Sequence, residues 1–157
     1  MTYEEKLAAV VLTLTGSPVL FPAEDIYHAN YRIEDQTFPV VMVLPNGLGS
    51  IGIKVQVTRD AGIALWFAEL VDMDVAHAVK RACWERMHLL AAEFLVKAGQ
   101  SVYFFPATDV TYEETFDKFD VNLCGVIYYM KLKERNGLKV CDLEVTQEPW
   151  EPDNAKY

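Results

Sequence analysis

The chain has 157 residues, 52% apolar and 24% charged, ordinary proportions for one globular domain large enough to bury a core without staples. Its 23 carboxylates against 14 Lys and Arg give a net charge of −9, which excludes the basic footprint of a general nucleic-acid or anionic-membrane binder. The three cysteines, Cys83, Cys124 and Cys141, are widely spaced and form no C-x-x-C pair, so neither a disulfide framework nor a zinc ribbon is indicated.

A reducing compartment is the natural expectation for such cysteines. The first residues lack the basic region of a signal peptide, and no apolar run approaches membrane-spanning length. The protein is therefore expected in the cytoplasm where it is made.

In chain order, Thr2 and Glu5 have capping-box spacing ahead of Leu7, Val10, Val11 and Leu14, which predicts a short amphipathic helix stopped by Gly16-Ser17-Pro18. Residues 18–36 are mixed and read as a loop or a short strand. Phe38 to Leu44 is a strand. The next segment, Pro45 to Ile53, contains a literal G-x-G-x-x-G at Gly47, Gly49 and Gly52. A dinucleotide site needs a helix opening straight after those glycines, because the pyrophosphate sits on its free N–H groups. Instead Ile51, Ile53, Val55 and Val57 alternate with polar residues and glycine, the period of a strand. The motif therefore reads as a glycine-rich β-connection, and affinity for NAD or ATP is not expected. A near-match to a nucleophile elbow at Ser50 fails because Leu48 stands where its first glycine belongs.

Arg59 to Gly62 reads as a turn and Ile63 to Leu70 as a third strand. A long helix follows, capped by Asp72 or Asp74 and running to about Ala98, with Gly99 as its C′ residue. Ala76, Val79, Cys83, Met87, Leu90 and Phe94 form its core-facing stripe. Val102 to Phe105 reads as a strand closed by Pro106, and residues 107–120 as an acidic connection. Val121 to Lys133 is a strand, Arg135-Asn136-Gly137 a tight turn, and Leu138 to Thr146 its hairpin partner. Residues 1–147 thus form a single α+β domain, with a polar tail at 148–157. The expected sheet is mixed or antiparallel, of about five strands, with one long helix across one face and a short N-terminal helix.

The long helix aligns His77, Arg81, Trp84 and His88 on one face. The two histidines lie eleven residues apart, about 16 Å of helix rise, and cannot share a metal ion. The face is either a solvated surface or a protein contact; Arg and Trp are the residues that anchor interfaces. Arg81, Trp84 and His88, with Trp150 in the tail, are therefore the candidate contact residues. Cys83 belongs to the apolar stripe and reads as an inert thiol. Glu69, Asp72 and Asp74 have capping and dipole roles before any metal role, and the run Asp109 to Asp120 lacks a calcium-loop pattern. His28 is isolated. No catalytic, cofactor or metal site is expected, and the chain does not read as an enzyme.

The order of elements carries a resemblance. An early helix, the strand "TFPVVMVLP" with Phe38-Pro39-Val40-Val41, a long single helix and the late strand "FDVNLCGVIYYMKL" with Asp120-Val121-Asn122 resemble the tail terminator, or tail-completion, proteins of long-tailed phages. The likeness spans about residues 3–133; the C-terminal hairpin strand and the Trp150 tail exceed the family's pattern. Related neck and head-completion proteins share much of this layout. The resemblance implies a homo-oligomeric ring, commonly a hexamer, that meets the tail tube and the head connector. Such a protein is cytoplasmic during assembly and then part of the virion. It brings no catalytic residues, no cofactor, no sequence-specific nucleic-acid binding and no membrane. A second reading is a small-molecule-binding or regulatory α+β domain, or a small enzyme, with its pocket between the long helix and the sheet.

Overall fold

A computed structural model describes residues 1–22, 38–44, 49–53, 56–71, 76–116, 123–135 and 138–139. The elements are α1 (Tyr3–Val11), β1 (Val19–Pro22), β2 (Val40–Leu44), β3 (Gly49–Ile53), β4 (Gln56–Leu70), α2 (His77–Gln100), β5 (Thr108–Phe116), β6 (Leu123–Lys133) and β7 (Leu138–Lys139). The fold is α+β, as the sequence predicts. Strands β2, β4, β6 and β5 form an antiparallel sheet in that order, β1 adds in parallel beside β2, and β3 and β7 both pair with β4.

The capping box at Thr2 and Glu5 is formed, with the threonine hydroxyl accepting from the Glu5 N–H at 3.2 Å and the Glu5 carboxylate accepting from the Thr2 N–H at 2.6 Å. Gly16, at φ +83°, follows the helix in a conformation that costs glycine nothing. Leu7, Val10, Val11 and Leu14 are all buried. Tyr3 donates to the Leu132 carbonyl, and Lys6 pairs with Glu134 at 2.6 Å, fixing α1 to the end of β6.

The 15-residue β4 corrects one expectation. Arg59 to Gly62 is not a turn, because its backbone is engaged in the ladder: Asp60, Ala61 and Gly62 pair with Lys133, Leu132 and Lys131. On the other side of β4, Leu44 pairs with Ala64 and Gly49 with Ala61, so five steps along β2–β3 match three along β4. Strands β2 and β3 thus run in the same direction along β4, offset by two residues relative to it. Gly49 and Gly52 lie within a strand, and the chain after Gly52 returns as β4, not as a helix.

The same shift recurs opposite. Lys133 pairs with Asp60 and Leu138 with Val57, again five steps against three. Leu138–Lys139 therefore continues along β4 and is not the hairpin partner of β6. The physical reason is that β6 has no free edge, with β4 on one side and β5 on the other. Residues 140–146, expected in that hairpin, lie outside the described residues.

Two further expectations change. Thr108–Phe116 is a strand, not an acidic connection; being an edge strand exposed over Thr108–Glu114, it carries carboxylates where a buried strand carries aliphatics. Val102 to Phe105 makes only a single bridge, Phe104 with Glu134. Its backbone is instead held by Ser101 and Arg135: the serine hydroxyl accepts from Tyr103 and Phe104 N–H, and the guanidinium donates to the Gly99 and Phe104 carbonyls.

The long helix α2, about 36 Å of rise, begins after Ala76, which provides no side-chain cap. Asp72 and Asp74 lie outside the described residues. Gly99 is helical and Ser101 is the C-cap; Gly99 packs closely on the next segment, and a Cβ there would lie a tight 3.3 Å from Pro106 Cα. The buried stripe is Cys83, Met87, Leu90, Ala91, Phe94 and Ala98. Ala76 and Val79 are exposed: Ala76 precedes the first helical turn, and Val79 sits at the margin of the buried arc.

Both faces of the sheet are buried. Val41, Ile63, Leu65, Phe67, Val126 and Met130 join α1 and α2 in the larger cluster. Val40, Met42, Ala64, Trp66, Ala68, Leu123 and Ile127 form a second cluster on the reverse. There the Trp66 indole lies against Gly125, where a Cβ would come within 2.8 Å of its Nε1 and 2.2 Å of the Phe67 carbonyl oxygen.

Candidate interaction surface

The face of α2 that the sequence singles out divides in two. At its N-terminal end His77, Ala78, Arg81, Ala82 and Glu85 line a shallow groove of about 260 Å³. Arg81 and Glu85 are exposed and make no ion pair with any described residue. Beside the groove, and in the turn that follows it, side chains fold back onto the sheet. The half-buried Trp84 donates its indole N–H to the Thr115 carbonyl at 3.0 Å, with the His77 ring edge-on at 6.2 Å.

His88 reaches both β6 and β5. Its Nδ1 lies 2.8 Å from the Tyr128 hydroxyl and its Nε2 3.1 Å from Glu114 Oε1, with the Tyr112 ring edge-on at 4.8 Å. Tyr112 and Tyr128, partners across the strands, stack at 5.8 Å. Burial, and after it the neighbouring Tyr112, pushes the Tyr128 hydroxyl above its ordinary pKa, so it stays protonated and available as a donor. Arg81 is thus left to solvent, whereas Trp84 and His88 tie the helix to the edge strand. Trp150 lies outside the described residues, as do His28 and Cys141.

The outer face of α2 continues beyond these residues. Ala78, Ala82, Glu85, Leu89, Ala92 and Val96 recur at alternating steps of four and three, the spacing of a seam between packed helices. Leu89 is 72% exposed and Val96 56%. No described element covers them. This exposed seam is legible in the sequence, but it is hidden there behind the stronger core stripe on the opposite side of the same helix.

The remaining candidates have structural roles. Cys83 and Cys124 are buried together, and a hydrogen bond to Cys124, reinforced by burial, holds the Cys83 thiol far above its ordinary pKa. Such a thiol is a poor nucleophile. Glu69 forms an ion pair with Arg86, its Oε1 accepting from the guanidinium Nε at 3.1 Å. Among the described residues no group of three or more His, Cys, Asp or Glu comes together to hold a metal ion, and no described helix is long and apolar enough to cross a membrane.

No protein-family model, curated protein or solved structure matches the chain.

Proposed function

We propose that this protein is a ring-forming tail-completion component of a long-tailed phage or prophage, a structural subunit and not an enzyme. The observation that carries the proposal is the exposed outer face of α2, which no described element covers. Leu89 and Val96 are exposed at seam spacing, and the small Ala78, Ala82 and Ala92 on the same seam let another backbone approach closely. A helix so long, with one side in a core and the other apolar yet bare, suits a subunit that completes itself by association. Arg81 and Glu85, neither in an ion pair with a described residue, line the groove and supply charges for such a contact. Trp84 and His88 contribute by holding α2 against β5, so that the outer face is presented rigidly.

Closed symmetry would give one small chain a tube-sized contact area and hide otherwise adhesive surface. A hexamer is the expected ring, formed on the tail tube in the cytoplasm and carried into the virion, where it meets the head connector. A ligand-binding domain would instead need an enclosed pocket with convergent polar groups; the groove that the described residues form beside Arg81 is shallow and open.

The test is genetic. Deleting the gene from its phage or prophage and imaging particles by negative-stain electron microscopy is expected to give tails of uncontrolled length or finished tails unattached to heads. Normal infectious particles would end the proposal.

A further inference from the structure

Strand β5 closes one side of the sheet, and among the described residues nothing pairs with its outer edge. Native proteins commonly spoil such an edge with a bulge or with charge. Here the irregularity, with Asp109 at φ 51°, is confined to one end, between Thr108 and Thr111; from Thr111 to Phe116 the register against β6 is regular. Six residues of ordered edge remain, about the length of an average strand.

The edge is also pre-shaped. Buried Thr115 accepts from the Trp66 indole at 2.9 Å and donates to the Gly125 carbonyl at 3.1 Å. Glu114 is steered by His88, and Glu113 accepts from the Tyr129 hydroxyl at 3.1 Å. Being adjacent in a strand, Glu113 and Glu114 lie on opposite faces of the sheet. Tyr112, 61% exposed, shares the helix-side face with Glu114. The strand contains no basic residue.

We infer that the outer edge of β5 docks an extended segment of another protein that carries two adjacent basic residues. Backbone pairing along Thr111–Phe116 supplies the register, as in other strand-addition complexes. The two basic residues, one on each face of the added strand, meet Glu113 and Glu114, and the one on the helix side also lies near the Tyr112 ring. Two nearer occupants are disfavoured by charge. A second copy of β5 would bring two more carboxylates, its own Glu113 and Glu114, to the same edge and supply no basic residue to meet them. The C-terminal stretch of this chain carries Asp142, Glu144, Glu148, Glu151 and Asp153 against one lysine, Lys156. The inference does not depend on the ring reading.

The probe is a capped nine-residue peptide of alternating Thr and Val with a central Lys-Lys pair, titrated into the full chain by fluorescence anisotropy while amide hydrogen exchange is followed. Saturable binding is expected, with slowed exchange confined to Thr111–Phe116. Binding should weaken about tenfold in the double variant Glu113→Lys, Glu114→Lys, whose slow core exchange around Trp66 reports that it is folded. Equal binding of a Glu-Glu peptide, or of a Lys-Lys peptide interrupted by proline, would reduce the effect to non-specific attraction and overturn the inference. So would absence of binding. Protection of the β5 edge before any peptide is added would also overturn it: concentration-dependent protection would identify a second copy as occupant, and concentration-independent protection the chain's own tail.

Discussion

On the helix side of the sheet, Phe67 meets Phe94 at 5.9 Å and Tyr128 at 6.1 Å among Met87, Leu90 and Met130. On the reverse side, Trp66 is just as deeply buried, and its indole N–H donates to the Thr115 hydroxyl. The first face is held by many interchangeable carbon contacts, so loss there scales with volume removed. The second depends on one polar node and on the missing side chain of Gly125, so loss there scales with whether a hydrogen bond is satisfied. One sheet therefore has one face that tolerates conservative repacking and one that does not.

The largest effect should come from emptying the first face. Phe94→Ala is expected to lower unfolding free energy by about 3–5 kcal/mol, read from the urea midpoint at unchanged slope. A loss below about 1 kcal/mol would mean that α2 is not the principal cover of the sheet.

The second face should respond to chemistry at constant volume. Thr115→Val keeps the shape but removes the hydroxyl that accepts from the buried indole N–H, at a cost of about 1–3 kcal/mol. Thr115→Ser, which keeps the hydroxyl, should recover most of that loss. If valine and serine behave alike, the contrast between the faces fails.

The smallest effect concerns the rim that joins α1 to α2. Lys97, and after it the Thr15 backbone and hydroxyl, hold the Glu93 carboxyl below its ordinary pKa of 4.5. Because the native value is depressed, the contribution is complete above the ordinary value and is lost as pH falls through the native one. Glu93→Gln should therefore cost a few tenths of a kcal/mol at pH 7. That difference should shrink as the pH of a thermal-unfolding series drops below about 4.5. A difference independent of pH would assign the effect to packing instead of charge.

Much of this contrast was open to reading from the chain. The 3.6-residue stripe of Cys83, Met87, Leu90 and Phe94 identified the helix side, and the Thr2–Glu5 box placed α1. The node on the reverse face was not legible: Trp66 and Thr115 are 49 residues apart, and nothing local in either neighbourhood signals that one answers the other. Strand β5 reads as a connection for a related reason: an edge strand facing water has the composition of a loop. The turn expected at Arg59–Gly62 shows the reverse error, local turn chemistry overridden by ladder partners more than sixty residues downstream. Of the candidate contact residues, Arg81 is exposed, on a face whose spacing alone leaves open a solvated surface or a protein contact. The inward anchoring of Trp84 and His88 needed the tertiary position of β5.

The way β4 borrows its neighbours also fixes an order in time. Strands β2 and β3 are made just before it and can pair at once, but its other side waits for β6, roughly 50 residues later in the chain. At synthesis rates of about 5–20 residues per second, that is several seconds during which a β4 edge rich in aliphatic residues stands open. The intervening α2 can form while the sheet is still unfinished, because its contacts are local. Production of this protein should therefore be governed less by the stability of the finished fold than by what shields that half-sheet until β6 arrives.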